Sequence, residues 1–94
     1  MIQSFKNKQT RHVWMGVWEE HLPNEVQDEG LKKLELLDHV RDLDELYRIN
    51  ADHLEKLEGD LAGYYSIRIN SKWRVIFTWN GKDATNVQIV NYHK

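Results

Sequence analysis

Two arginines in the C-terminal third of the chain, Arg68 and Arg74, have the chemistry and spacing of a phosphate-binding pair. Each lies in a segment of alternating polarity, which predicts two β-strands, and Asn70-Ser71-Lys72 between them predicts a turn. Side chains on one face of neighbouring strands lie close together. Because each guanidinium offers a planar bidentate fork, the pair suits a phosphate. The alternative is structural, with one or both arginines paired to nearby acids, Glu55, Glu58 or Asp60.

The charged residues are segregated along the chain, although the formal net charge is only −2. Residues 1–18 hold three bases and no acid, residues 19–60 hold 14 acids against five bases, and residues 61–94 hold five bases against one acid. If the two basic ends pack together, they form a cationic surface that attracts phosphate locally. The alternative is ordinary solvation of helices by acids.

The composition is that of one folded soluble domain spanning residues 1–94, with 40% hydrophobic and 30% charged residues. Cysteine is absent, which excludes disulfides and thiolate chemistry. The histidines lack metal-ligand spacing and no phosphate-cradling glycine loop occurs, so we expect neither a metal nor a cofactor. Without a long apolar run or a signal peptide, the sequence predicts a cytoplasmic protein with no membrane contact.

The first half of the chain predicts a short N-terminal strand over residues 2–5 and a first helix over residues 8–20. Trp14 and Trp18 lie four residues apart on that helix, which favours the core or a protein partner over base stacking. If they were exposed, they would form a hydrophobic patch suited to a protein partner.

A second helix follows the break at Pro23 and is the clearest predicted element. Asn24 is the expected N-cap, and Gln27 stands three residues later, as in a capping box. The helix should end near Arg41, and residues 43–47 add one further turn. Its buried stripe consists of apolar residues three apart: Leu31, Leu34, Leu37 and Val40.

After Gly59 the pattern changes to the alternation of strands. The aromatic stripe of the second of these strands, Trp73, Phe77 and Trp79, falls on the face opposite Arg74. Asn80-Gly81 predicts a hairpin with a type I′ turn, and a last strand follows over residues 85–92. The order β-α-α-β-β-β predicts an α+β domain, with helices packed on a small antiparallel sheet.

One long run of residues resembles a known family. Residues 59–77 follow the pattern G-D-x-x-G-x-x-S-I-R-x-N-x-x-W-R-x-x-F, and the chain closes on Val90-Asn91-Tyr92-His93. This combination resembles the HigB branch of the RelE/ParE toxin superfamily, the toxin halves of type II toxin–antitoxin pairs. The resemblance covers most of the chain and is loosest over residues 12–30.

The resemblance implies a RelE-like fold and a ribosome-dependent mRNA endonuclease that inhibits translation without a metal. In such cleavage the neighbouring 2′-hydroxyl attacks phosphorus, which requires a base, an acid and cations. His93 matches the family's terminal histidine as the acid or base, and Tyr92 would stack on a base or contact the phosphate. Arg68 and Arg74 match its basic strand residues and would stabilise the phosphorane.

The sequence departs from the family pattern at three positions. Where members carry a histidine and a lysine in L-H-P-L-K-G-D, this chain has Glu55 and Glu58, and Asn91 replaces an aspartate before the final Tyr-His. His53 would compensate only with a backbone shift, whereas Glu55 could act as the general base. These departures predict a slow or conditional toxin. The alternatives are a non-catalytic module of the same fold, a gyrase-poisoning ParE-like toxin, and an RNA-binding protein without toxicity.

Partners follow from the charge pattern and from the resemblance. We expect RNA contacts from residues of the two basic ends, namely Lys6, Lys72, Asn91 and Lys94. The resemblance implies a HigA-like helix-turn-helix antitoxin as protein partner. The acidic helical surface of residues 19–60 would be part of its contact, away from the catalytic face.

Overall fold

The computed structural model describes residues 1–49 and 54–91, which form helices packed on one face of a four-stranded sheet. The sheet is antiparallel in the order β1-β2-β3-β4. The predicted α+β class is therefore confirmed. In chain order the elements are α1 (Lys8–Trp14), α2 (Asn24–His39), α3 (Leu43–Ile49), β1 (Leu54–Lys56), a 3₁₀ turn (Gly59–Leu61), β2 (Tyr64–Arg68), β3 (Trp73–Trp79) and β4 (Ala84–Asn91).

The hydrophobic core lies between α2 and the sheet. Leu34 and Leu37 of the predicted stripe are fully buried against β3 residues that include Val75 and Phe77. Close packing explains Gly30 in the middle of α2, because a Cβ there would lie 3.2 Å from Ile89 Cδ1. The helices thus cover one face of the sheet, and the other face carries Arg68, Arg74 and Thr78 together with the buried Ile76.

The N-terminal segment covers the outer edge of β4, so the two ends of the chain do pack together. Gln3 N–H donates to Ala84 O at 2.8 Å, and Lys6 N–H donates to Val87 O at 2.9 Å. Further along the edge, the buried Thr10 hydroxyl accepts a hydrogen bond from Ile89 N–H at 2.9 Å. These contacts satisfy backbone groups that an open sheet edge would expose.

The predicted N-terminal strand is reduced to two isolated parallel bridges, Ile2↔Ala84 and Phe5↔Val87. The physical reason is a bulge in β4, where the register shifts and Asn86 adopts a positive φ of 52°. A bulge interrupts the regular ladder. Asn86 N–H donates instead to the Ser4 hydroxyl at 2.9 Å.

The helix boundaries correct two predictions. α1 ends at Trp14 rather than near residue 20, and Gly16 takes up a positive φ of 76° just beyond it. Asn24 is the first residue of α2 and not its N-cap, which is Pro23. Gln27 forms no capping box, because its side chain bonds the Glu19 backbone and Leu22 O.

The C-terminal half follows the prediction closely, with differences at the turns. The extra turn over residues 43–47 is α3, whereas β1 was not predicted. The Asn80-Gly81 hairpin is present, but the prediction of a type I′ turn is wrong. That turn needs a positive φ at both residues, and only Gly81 has one. Asn80 instead accepts hydrogen bonds from Lys82 N–H and Asp83 N–H through Oδ1, which stabilises a longer loop.

We predict that Thr10→Val lowers the free energy of unfolding by about 1–3 kcal/mol, because it leaves Ile89 N–H without its acceptor while preserving side-chain volume. Denaturant unfolding measures the loss. Gln9→Ala, an exposed change in the same helix, is the control and should stay within about 0.5 kcal/mol of the wild type. Equal stability of the two variants would contradict this account of the β4 edge.

Candidate phosphate-binding site

Arg68 and Arg74 lie directly opposite each other on β2 and β3. Arg68 Nε donates to the carbonyl oxygen of Asn70 at 3.3 Å, and Arg74 Nη1 donates to the same oxygen and to Trp73 O. Two guanidinium groups therefore converge on one backbone carbonyl at the end of the β2–β3 hairpin. The predicted convergence is confirmed.

The two arginines project from the face of the sheet that the helices leave open. Their neighbours along the strands, Ile67 and Val75, are fully buried on the opposite face. Because side chains alternate along a strand, the arginines must point away from the core. Arg68 is exposed and Arg74 is half-buried.

Asn70 organises the turn that holds both arginines, a role that was not predicted from the sequence. Its Oδ1 accepts hydrogen bonds from Lys72 N–H and Trp73 N–H, each at 2.9 Å. Its carbonyl oxygen is then available to the guanidinium groups. The available signal was the tendency of asparagine to bond the backbone two or three residues further on.

Like charges placed directly opposite on neighbouring strands destabilise a sheet. The Asn70 carbonyl oxygen partly offsets the repulsion between Arg68 and Arg74, and a bound anion would offset it further. The alternative that the arginines serve only to pair with nearby acids does not hold for Arg68. Within residues 1–49 and 54–91, no salt bridge joins it to Glu55, Glu58 or Asp60. The arrangement therefore suits an anionic ligand such as phosphate.

Two predicted RNA contacts lie at the same end of the sheet as the arginines. Lys72 is exposed in the β2–β3 turn, and Asn91 is exposed at the end of β4, where it pairs with Trp73 and therefore lies on the face opposite Arg74. Lys6 lies elsewhere, at the outer edge of β4 beside Val87. The two basic segments of the chain therefore do pack together. They form two separate basic regions, one at the arginine pair and one at Lys6, instead of the single cationic surface that was predicted.

Glu55 lies on β1 and pairs with Ser66, which is two residues before Arg68 on β2. Residues two apart in a strand share a face and are about 7 Å apart along it. Glu55 is exposed and thus flanks the arginine pair on the open face. Glu58 is exposed in the loop that follows β1.

The remaining predicted site residues, Tyr92, His93 and Lys94, lie outside the described residues, as does His53. Across the described part of the chain, no group of three or more histidine and acidic side chains could hold a metal ion. None of the helices in that part is long and apolar enough to span a membrane.

The two tryptophans of the first predicted helix have different surroundings. Trp14 packs against the core, with its ring 6.3 Å from that of Phe5. Trp18 follows α1 and is 62% exposed, and Met15 and Val17 beside it are exposed as well. Together, Met15, Val17 and Trp18 form an exposed apolar surface, here called the Trp18 surface.

We predict that Asn70→Ala and Asn80→Ala each lower the free energy of unfolding by about 0.5–1.5 kcal/mol, because each removes an Oδ1 that accepts two backbone N–H groups. Only Asn70→Ala should shift the NMR resonance of the Arg68 Nε–H group. Asn80→Ala is the matched control, since it loosens a similar turn at the other end of β3. An unmoved Arg68 resonance in Asn70→Ala would contradict the role given to Asn70.

Comparison with known proteins identifies the same family that the sequence pattern resembles. The family model of the HigB-like toxin, described as the RelE-like toxin of type II toxin–antitoxin system HigB, matches residues 3–93. The chain is 30% identical over 93 residues to a protein named Endoribonuclease HigB from Proteus vulgaris, covering 99% of this chain and 100% of that protein. It is 34% identical over 68 residues to Toxin HigB-1 of Vibrio cholerae serotype O1, covering 72% of each chain. The resemblance is therefore confirmed, and this chain belongs to the HigB-like family of RelE-like toxins of type II toxin–antitoxin systems.

Proposed function

We propose that this toxin is a ribosome-dependent mRNA endonuclease that inhibits translation, acting as a single domain of residues 1–94 in the cytoplasm. The observation that carries the proposal is the convergence of Arg68 and Arg74 on the Asn70 carbonyl, on the face of the sheet opposite the helices. The sequence places Tyr92 and His93 directly after Asn91, the last residue of β4. The Proteus vulgaris relative, which is named an endoribonuclease, supports the same activity.

The proposed reaction is attack of the ribose 2′-oxygen on the adjacent phosphorus, with the 5′-oxygen of the next nucleotide leaving. The bond between 2′-oxygen and phosphorus forms as the bond between phosphorus and 5′-oxygen breaks, giving a 2′,3′-cyclic phosphate. Arg68 and Arg74 would stabilise the charge of the phosphorane, and Tyr92 would hold a base or the phosphate. No metal or cofactor takes part.

Two proton transfers complete the proposed reaction. We assign removal of the 2′ proton to Glu55, because it flanks the arginine pair on the open face. His93 would protonate the leaving 5′-oxygen, since imidazole exchanges protons near neutral pH. Glu55 and Glu58 replace the histidine and lysine of the family pattern, and added negative charge near a phosphate is unfavourable. A slow or conditional toxin is therefore expected.

A type II toxin has an antitoxin partner. We propose a HigA-like helix-turn-helix antitoxin that binds the acidic helices α2 and α3 together with the Trp18 surface. Exposed tryptophan is typical of protein interfaces. The helices cover the face of the sheet opposite Arg68 and Arg74, so this contact would leave the arginine pair uncovered and would inhibit by blocking access to the ribosome.

We predict that induced expression without antitoxin produces new mRNA 5′ ends within minutes, only on translated messages. His93→Ala should abolish these ends, because the leaving oxygen loses its proton donor. Sequencing of 5′ ends before and after induction provides the measurement. His39→Ala, which changes an exposed histidine at the end of α2, is the matched control and should leave cleavage intact.

The outcomes separate this function from its alternatives. Growth arrest with trapped DNA breaks and intact mRNA would identify a gyrase-poisoning toxin. Growth arrest without either change would refute mRNA cleavage. No arrest and no new ends would indicate a non-catalytic module.

We predict that Glu55→Gln slows cleavage by about 10²–10⁴-fold, the usual contribution of a general base, while Glu58→Gln does not slow it. The two variants change net charge equally, so the comparison isolates the base from the surface charge. Single-turnover cleavage on programmed ribosomes measures the rates. Equal or faster cleavage by Glu55→Gln would assign the base to another residue.

A further inference from the structure

A cleft of about 490 Å³ lies where the N-terminal segment meets α1, along the outer edge of β4. Three cations line it, Lys6, Lys8 and Arg11, and the other lining residues are uncharged. All three cations are exposed. The cleft is separate from the arginine pair and has no part in the reaction proposed above.

Within residues 1–49 and 54–91, none of the three cations forms an ion pair, and the Asp83 carboxylate bonds instead to the side chain of Gln3, which also lines the cleft. Of the salt bridges among the described residues, none uses Lys6, Lys8 or Arg11. The sequence adds a reason, because residues 1–18 contain no acid. The nearest carboxylate along the chain, Glu19, is bonded to His12 at 3.2 Å. Concave walls that carry charge of one sign concentrate the field of that sign.

The position of the cleft is fixed by backbone contacts rather than by its flexible lysines. Lys6 N–H donates to Val87 O, and Asn7 Oδ1 accepts from Thr10 N–H at 2.9 Å to begin α1. The lysine and arginine side chains are therefore carried on a backbone that is fixed to β4. Such a charged recess suits a flexible polyanion better than a single small anion, since the cations are spread over six residues.

We propose that this cleft binds phosphate groups of an RNA chain, as a second RNA contact apart from the arginine pair. The proposal rests on the proposed function, because it takes RNA as the ligand. Lys6 lies beside Val87 on one side of β4, and Arg74 pairs with Val90 on its other side. From strand geometry, three residues along β4 and two strand spacings across it put the two backbones about 14 Å apart. At about 3.4 Å per nucleotide of a stacked strand, that distance is about four nucleotides.

The test compares two triple variants of the full chain with equal changes in charge. Lys6→Gln, Lys8→Gln and Arg11→Gln together remove the cations of the cleft. Lys32→Gln, Arg48→Gln and Lys82→Gln together remove three exposed cations elsewhere. The probes are a short 2′-O-methyl RNA, which cannot be cleaved by 2′-hydroxyl attack, and purified ribosomes. Fluorescence anisotropy over a salt series and co-sedimentation measure the binding.

The cleft variant should bind at least about tenfold more weakly than the control variant, and the slope of log affinity against log salt should fall by about 2, the value for three lost phosphate contacts on a single strand. Weaker binding to the free probe would assign the cleft to a single-stranded RNA such as mRNA. Weaker binding to ribosomes alone would assign it to ribosomal RNA. Both results support the proposal.

Three results would overturn it. Equal weakening of the two triple variants would mean that only net charge matters. The cleft variant could bind RNA and ribosomes as the wild type does, while Arg74→Gln loses binding. That result would show that the cleft is not an RNA-binding site and would leave the proposed function intact. If the wild type bound neither probe and cleaved no mRNA, the proposed function would fail together with the cleft.

Discussion

The two-residue period of β2 and β3 is the constraint on which both the core and the candidate site depend. Ile67 and Val75 are fully buried beneath the helices, so Arg68 and Arg74 must occupy the other face. A slip of one residue would place guanidinium groups in the core and expose the apolar side chains. Burial therefore fixes the register, and the register fixes the arginine pair.

The arginine pair illustrates how a fold can hold an arrangement that its own electrostatics oppose. Opposed like charges on adjacent strands are unfavourable, yet the Asn70 carbonyl oxygen receives a hydrogen bond from each arginine. The Asn70 side chain, by bonding the turn, keeps that oxygen in place. A phosphate bound there would relieve the remaining repulsion. The exposed acids Glu55 and Glu58 act in the opposite direction and lower the local positive potential.

The N-terminal segment has two consequences for the rest of the molecule. Its backbone satisfies the edge of β4, and Thr10 continues that role from inside α1. The same segment carries Lys6, Lys8 and Arg11 to the side of the sheet away from β1. Edge protection and cationic charge are thus supplied by one stretch of chain. The acids lie mainly in the middle of the chain, so the basic edge of β4 and the acidic helices α2 and α3 are distinct.

The sequence by itself determined the α+β class, the buried stripe of α2, the β2–β3 hairpin and the convergence of Arg68 with Arg74. These depend on local periodicity, which follows from the geometry of helices and strands. Only the tertiary structure decided that the N-terminal strand is two bridges, because a bulge at Asn86 on a distant strand interrupts its pairing. It also decided that Gln27 bonds a loop instead of capping a helix, and that Lys6 lies apart from the arginines. Such contacts join residues far apart in sequence or compete with local preferences, so no local pattern encodes them.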